Sequence, residues 1–109
     1  MRNLKFRAWI ESQKYMAIQG TPDLETLSSF MHHYSNEKNL MQSSEMFDMN
    51  NNEIFEGDII EFEGYVDNKT IIFKNGAFGY ISDGGYFISL DETNLSIAKI
   101  IGNIYHYNK

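Results

Sequence analysis

The side chains able to do chemistry are present in this sequence, but their spacing does not assemble a reaction centre. His32 and His33 are adjacent, whereas two metal ligands on one helical face need the i, i+4 spacing of H-E-x-x-H. They read as solvated histidines on a helix, and His106 stands alone near the C-terminus. Asp48, Asn50 and Asn52 match the first, third and fifth ligands of a calcium loop. The sixth position, where glycine makes the sharp turn, is Glu53, and the twelfth, where a bidentate glutamate belongs, is Ile59. That stretch reads as a polar turn. Gly76, Gly79, Gly84 and Gly85 form no G-x-G-x-x-G phosphate cradle, and Ser43-Ser44 lacks the glycines of a nucleophile elbow. With no cysteine there is no thiolate nucleophile and no Cys-ligated zinc. Carboxylates are plentiful, but crowded into one tract they read as ordinary solvated groups rather than a tuned acid/base pair. The sequence therefore predicts no catalytic, cofactor-binding or metal-binding residue, no cofactor, and a protein that is not an enzyme.

Charge offers two candidate surfaces. Between Asn39 and Asn68 there is no Lys or Arg and there are eight acids: Glu45, Asp48, Glu53, Glu56, Asp58, Glu61, Glu63 and Asp67. The flanking segments are each close to neutral, so the net charge of −6 resides in this tract. It reads either as a solvated face that blunts sheet edges or as a surface for a basic partner. Glu45, Asp48 and Glu53 are the partner-binding candidates, because they precede the main run of strands, where side chains are least expected to be structural. The second surface is Arg2, Lys5, Arg7 and Trp9, a small basic group with a stacking ring. It supports an alternative reading as a nucleic-acid-associated small β-barrel module, against the plainer one in which Lys5 and Arg7 pair internally with the acidic tract and Trp9 packs under the helix. So few bases in an acidic chain predict no binding to duplex DNA.

These residues must be positioned by a modest amount of chain. At 109 residues, 42% hydrophobic and 22% charged, the sequence is one ordinary globular domain. It has no apolar run near the ~18 residues of a membrane span and no signal-peptide pattern, so no membrane partner is expected. Leu4, Phe6, Ala8 and Ile10 alternate with Lys5, Arg7 and Trp9, which predicts a half-buried strand. Tyr15–Ile18 is placed to pair back on it as a hairpin. Thr21, Pro22 and Asp23 read as a helix start. Leu24, Leu27, Phe30, Met31 and Tyr34 then share one face of an amphipathic helix of about three turns. From Asp58 the pattern is β: Asp58–Phe62, Tyr65–Val66, Thr70–Lys74, Ala77–Ser82, Tyr86–Leu90 and Ile97–Ile101. Asn75-Gly76 is the strongest hairpin signal, since a type I′ turn needs positive φ at both central residues. The prediction is an α+β fold. An N-terminal β-hairpin (with the helix, residues 1–38) packs on a small five- or six-stranded antiparallel, SH3-like barrel (58–109), and a polar acidic loop (39–57) joins them in one domain spanning 1–109.

Three segments taken together resemble a known family. Leu4-Lys5-Phe6-Arg7-Ala8-Trp9 is similar to the K-F-R-A-W opening of the YopX family of phage and prophage proteins. Leu40-Met41-Gln42-Ser43 and Asn52-Glu53-Ile54-Phe55-Glu56-Gly57-Asp58-Ile59-Ile60 resemble its central L-M-Q and E-I-(Y/F)-E-G-D-I segments. Ile101-Gly102-Asn103-Ile104-Tyr105 resembles its closing I-G-N-I-Y. Two departures fall at turns: Ser44-Glu45 stands where the family has Thr-Gly, and Asn51 ends its D-x-N-G turn. The resemblance implies an α+β domain with a barrel, encoded by a phage or prophage, and carries no catalytic residues. The resulting expectation is a non-enzymatic accessory protein in the bacterial host cytoplasm that binds a host or phage protein, with homo-oligomer formation left open.

Overall fold

The computed structural model describes residues 5–19 and 39–105. The predicted helix from Thr21 to Tyr34 lies outside the described residues, as do Arg2 and all three histidines. The chain divides into two compact units, Met1–Ser43 and Ser44–Lys109.

The first unit is built on the predicted hairpin. β1 (Phe6–Ile10) and β2 (Tyr15–Ile18) pair antiparallel, with Arg7 opposite Ile18 and Ile10 opposite Tyr15. The start of β3 (Leu40–Phe47) pairs with the other edge of β1, with Phe6 opposite Gln42. Gln19 fastens the open end of the hairpin. Its backbone N–H donates to the Phe6 carbonyl at 3.0 Å, and its Oε1 accepts from the Phe6 N–H at 3.1 Å. Ala8, Ile10 and Ala17 form a small core with Phe6 and Leu40 against it. The half-buried alternation predicted for β1 is not what forms. Arg7, Ala8, Trp9 and Ile10 are all buried, so both faces of β1 are covered, and β2 and β3 pair with its two edges.

In the second unit the rest of β3 pairs with β4 (Glu53–Phe55). β5 (Asp58–Phe62) lies between β10 (Ala98–Asn103) and β6 (Lys69–Thr70). β8 (Ala77–Ile81) lies between β7 (Ile72–Lys74) and β9 (Phe87–Ser89). Every one of these registers that is defined is antiparallel. Ile54, Ile60, Phe62, Ile71, Phe78, Leu90 and Ala98 form the core.

Four expectations need correction. Residues 39–57 are not a polar loop but strand, turn and strand, because Met41, Ser43, Ser44, Ile54 and Phe55 are buried. Tyr65–Val66 is not a strand; it follows the Gly64 turn (φ 88), and Val66 is 96% exposed. The predicted strand 70–74 is broken at Ile71, which turns into the core. Its N–H donates to the Asp58 carbonyl and its carbonyl accepts from Gly57, both at 2.8 Å. The one helix among the described residues is α1 (Glu92–Leu95), too short for helical periodicity to reveal. It is held by a capping box in which Asp91 and Asn94 exchange side-chain-to-backbone hydrogen bonds. The described fold is thus mostly antiparallel β rather than clearly α+β.

Candidate partner-binding groove

The central segment that sets the sequence apart turns out to be structural. Gly57 (φ 90) makes the turn between β4 and β5. Asp58, 2% exposed, accepts a hydrogen bond from the Phe55 N–H at 2.7 Å, closing that turn from within. The closing I-G-N-I-Y segment docks on the same turn: the Ile104 N–H donates to the Gly57 carbonyl at 2.9 Å. Residues far apart in sequence therefore form one backbone-to-backbone joint.

Asp48 is the second such joint, and here the sequence reading fails. It was a candidate for an exposed partner contact, but it is 6% exposed. One carboxylate oxygen accepts from the N–H groups of Asn50 (2.9 Å) and Asn52 (2.8 Å), and the other from the Ile100 N–H (3.0 Å). The register of β10 on β5 shifts between Ile100 and Gly102, and Asp48 supplies an acceptor at that irregularity. The Met49 N–H adds a bond to the Ala98 carbonyl at 2.8 Å. The calcium-loop-like spacing of Asp48, Asn50 and Asn52 is therefore an Asx-type turn in which the backbone amides are donors to the carboxylate.

The other candidates differ in exposure. Glu45 on β3 is exposed and Glu53 on the neighbouring β4 is half-buried. Lys5 is half-buried, while Arg7 and Trp9 are each 7% exposed. Trp9 Nε1 donates to Glu11 at 2.6 Å. A ring for base stacking and a guanidinium for phosphate both need solvent access, which Arg7 and Trp9 do not have. The eight acids of the tract are scattered: Asp48 and Asp58 buried, Glu53 and Glu56 half-buried, the rest exposed. Glu61 stands opposite Lys99 across β5 and β10, a cross-strand pairing the sequence did not disclose. Among the described residues no cluster of three or more His, Cys, Asp or Glu could hold a metal.

What the structure does assemble is an open groove of about 460 Å³ in the second unit, lined by Phe62, Tyr65, Lys69, Tyr80, Asp83 and Ile88 among others. Phe62 is its floor. The Tyr80 ring lies 4.9 Å from it at 41°, and the Tyr65 ring 6.3 Å away at 67°, edge to face. Tyr80 and Ile88 are cross-strand partners on β8 and β9. Lys69 donates to Asp83 at the rim. That hydrogen bond to Asp83 holds the Lys69 ammonium above its usual value, and burial raises the Tyr80 hydroxyl. Tyr65 and Ile88 of this lining are exposed, and the second unit exposes further large apolar side chains, among them Val66, Tyr86, Phe73 and Ile81. None of these was singled out from sequence. Only the strand register shows that Tyr80 and Ile88 share a face, and only the turns lift Tyr65, Val66 and Tyr86 into solvent.

The YopX protein family matches residues 5–108, and the chain belongs to that family. No curated protein matches it.

Proposed function

We propose that this YopX-family chain is a non-enzymatic accessory protein of phage or prophage origin, working in the host cytoplasm by binding a protein partner through its second unit. The observation that carries the reading is the aromatic groove, with Tyr65 and Ile88 exposed in its lining, together with the other apolar side chains that the second unit exposes. Contiguous exposed apolar surface on a small protein marks interaction sites, and aromatic residues are enriched in the centres of protein interfaces. Two of the carboxylates available for acid/base work, Asp48 and Asp58, are committed to backbone N–H groups, which supports a binding rather than a catalytic role. As part of the same reading, the second unit is an SH3-like barrel within an α+β domain.

Affinity capture from the infected host tests this. The full chain should retain a protein in near-stoichiometric amount. A Tyr65→Ser, Val66→Ser, Tyr86→Ser variant should lose that protein while its thermal unfolding stays close to wild type, since exposed substitutions change stability by about 0.5 kcal/mol or less each. Equal capture by both proteins would overturn the reading.

A further inference from the structure

We propose that β9 is the docking edge for an extended, basic segment of a partner chain, which adds to it as an antiparallel strand. This rests on the protein-binding reading above and specifies how the partner is held.

β9 is the last strand of its sheet, next to β8 and nothing else among the described residues. The hydrogen-bonding phase of the β8–β9 pair is fixed by its two ends. The Leu90 N–H donates to the Phe78 carbonyl at 2.9 Å, and the Ser82 N–H to the Tyr86 carbonyl at 2.7 Å. Since bonded and non-bonded pairs alternate in an antiparallel ladder, Tyr80–Ile88 is the bonded pair between them. Phe87 and Ser89, opposite Ile81 and Gly79, therefore aim their backbone groups away from β8. The Ser89 carbonyl confirms that direction: it accepts from Asn94 Nδ2 at 3.0 Å, from outside the sheet. The Phe87 N–H, the Phe87 carbonyl and the Ser89 N–H face outward beside it. Edges of this kind are usually guarded by Lys, Pro or a bulge. β7, the opposite edge, ends in Lys74, whereas β9 is Phe87-Ile88-Ser89, with Ile88 and Ser89 exposed and only the Ser89 carbonyl covered, by Asn94 of α1.

The chemistry of the occupant follows from register and charge. A partner residue opposite Phe87 exchanges two backbone hydrogen bonds with it. The next residue, opposite Ile88, projects on the face of Ile88 and Tyr80, so an apolar side chain there extends over the groove. At the ends of the edge stand Asp83, which Lys69 pairs, on one side and Asp91 and Glu92 on the other, and from Asn75 to Ala98 there is no Lys, Arg or His. The second unit as a whole holds eleven acids against four bases. Flanking Lys or Arg on the incoming strand meets complementary charge. A second copy of this chain brings no Lys or Arg on its own edge strand: two-fold pairing about Phe87 sets Asp91 in register with Asp83 of the other copy, where Lys69 is already engaged.

The test selects a display library of random short peptides against the full chain, then follows backbone amide exchange by NMR with the enriched peptides bound. The expected peptides alternate apolar residues between Lys or Arg, slow exchange at Phe87 and Ser89, and bind less tightly as salt rises. N-methylation of alternate peptide amides should weaken them roughly tenfold or more, a loss of about 1.4 kcal/mol per tenfold. Ser89→Pro should do the same, because it removes an outward-facing donor and no hydrogen bond of the β8–β9 ladder. The peptide-side change leaves the protein untouched, so misfolding of the Pro variant cannot imitate the result. No enriched peptide, enriched peptides that leave Phe87 and Ser89 unprotected, or protection of those amides by self-association without peptide would each overturn the proposal. Capture by the groove variant, which does not depend on the docking mode, then decides separately whether the protein-binding reading stands.

Discussion

Asp48 shows how misleading a residue's type can be without its partners. From sequence it is one of eight carboxylates, exchangeable with Glu45 and Glu53; in the fold it is acceptor to three backbone N–H groups from two segments. Hydrogen bonds to a charged group are worth about 1.5–3 kcal/mol, and orphaned buried donors cost further. Asp48→Ala is therefore expected to destabilise by about 3 kcal/mol or more in denaturant unfolding, while Glu45→Gln changes little. Of the two family departures, Asn51 falls in a turn as expected, whereas Glu45 lies inside β3 and not at a turn. Glu45 (φ 62) and Asn51 (φ 64) both sit in the left-handed region where the family carries glycine. Asn tolerates that region, but for Glu it costs about 1–2 kcal/mol, partly offset by the entropy a glycine loses on folding. Glu45→Gly is expected to raise stability by about 0.5–1 kcal/mol; a lower melting temperature would contradict the strain. Tyr80 makes a pH statement. Burial raises its hydroxyl above the unfolded value of 10.0, so its contribution is complete below that value and is lost as pH climbs through the higher folded value. Lys69, raised by Asp83, acts in the same alkaline direction. Unfolding measured from neutral pH upward should show stability falling above about pH 10, with a shallower fall in Tyr80→Phe.

At the scale of elements, local chemistry was legible wherever a turn demanded a particular backbone. Asn75 (φ 51) and Gly76 (φ 82) are both positive, as a type I′ hairpin requires, and they join β7 to β8 with Lys74 opposite Ala77. A Cβ on Gly76 would meet nothing within 4 Å, so Gly76→Ala should cost on the order of 1 kcal/mol from backbone strain alone. Gly79 has the opposite character. A Cβ there would lie 2.1 Å from the Ile88 carbonyl oxygen, so Gly79→Ala must push β9 away from β8 and should lose several times more stability than Gly76→Ala. Equal losses in the two variants would refute the close approach of these strands. The β1–β2 hairpin, β5, β8 and β10 could be read from alternation and punctuation. β3 and β4 could not, because Gln42, Ser43 and Ser44 look polar while two of them are buried; the Ser44 hydroxyl is satisfied by donating to the Ile54 carbonyl at 2.7 Å. The split at Ile71 was hidden for a related reason: both its backbone bonds run to the Gly57–Asp58 turn, a non-local choice that no window of sequence contains.

At the scale of the molecule, the net charge of −6 could be read at once, but its layout could not. The acidic tract looked like a surface because it is contiguous in sequence; the fold disperses it, burying two members and setting Glu61 against Lys99. The groove was invisible for the complementary reason. Phe62, Tyr80 and Ile88 are ordinary strand residues until pairing puts them on one face, beside turns that lift Tyr65, Val66 and Tyr86 into solvent. The central claim is that this face, rather than the acidic tract, holds the partner. The most direct measurement is the dissociation constant of the captured partner for the wild-type chain, for Ile88→Lys and for Glu45→Gln, each verified as folded by its unfolding curve. Ile88→Lys places a cation beside the aromatic floor and is expected to weaken binding at least tenfold, about 1.4 kcal/mol, while Glu45→Gln leaves it within about twofold. Unchanged affinity for Ile88→Lys, or a larger loss from Glu45→Gln, would contradict the account.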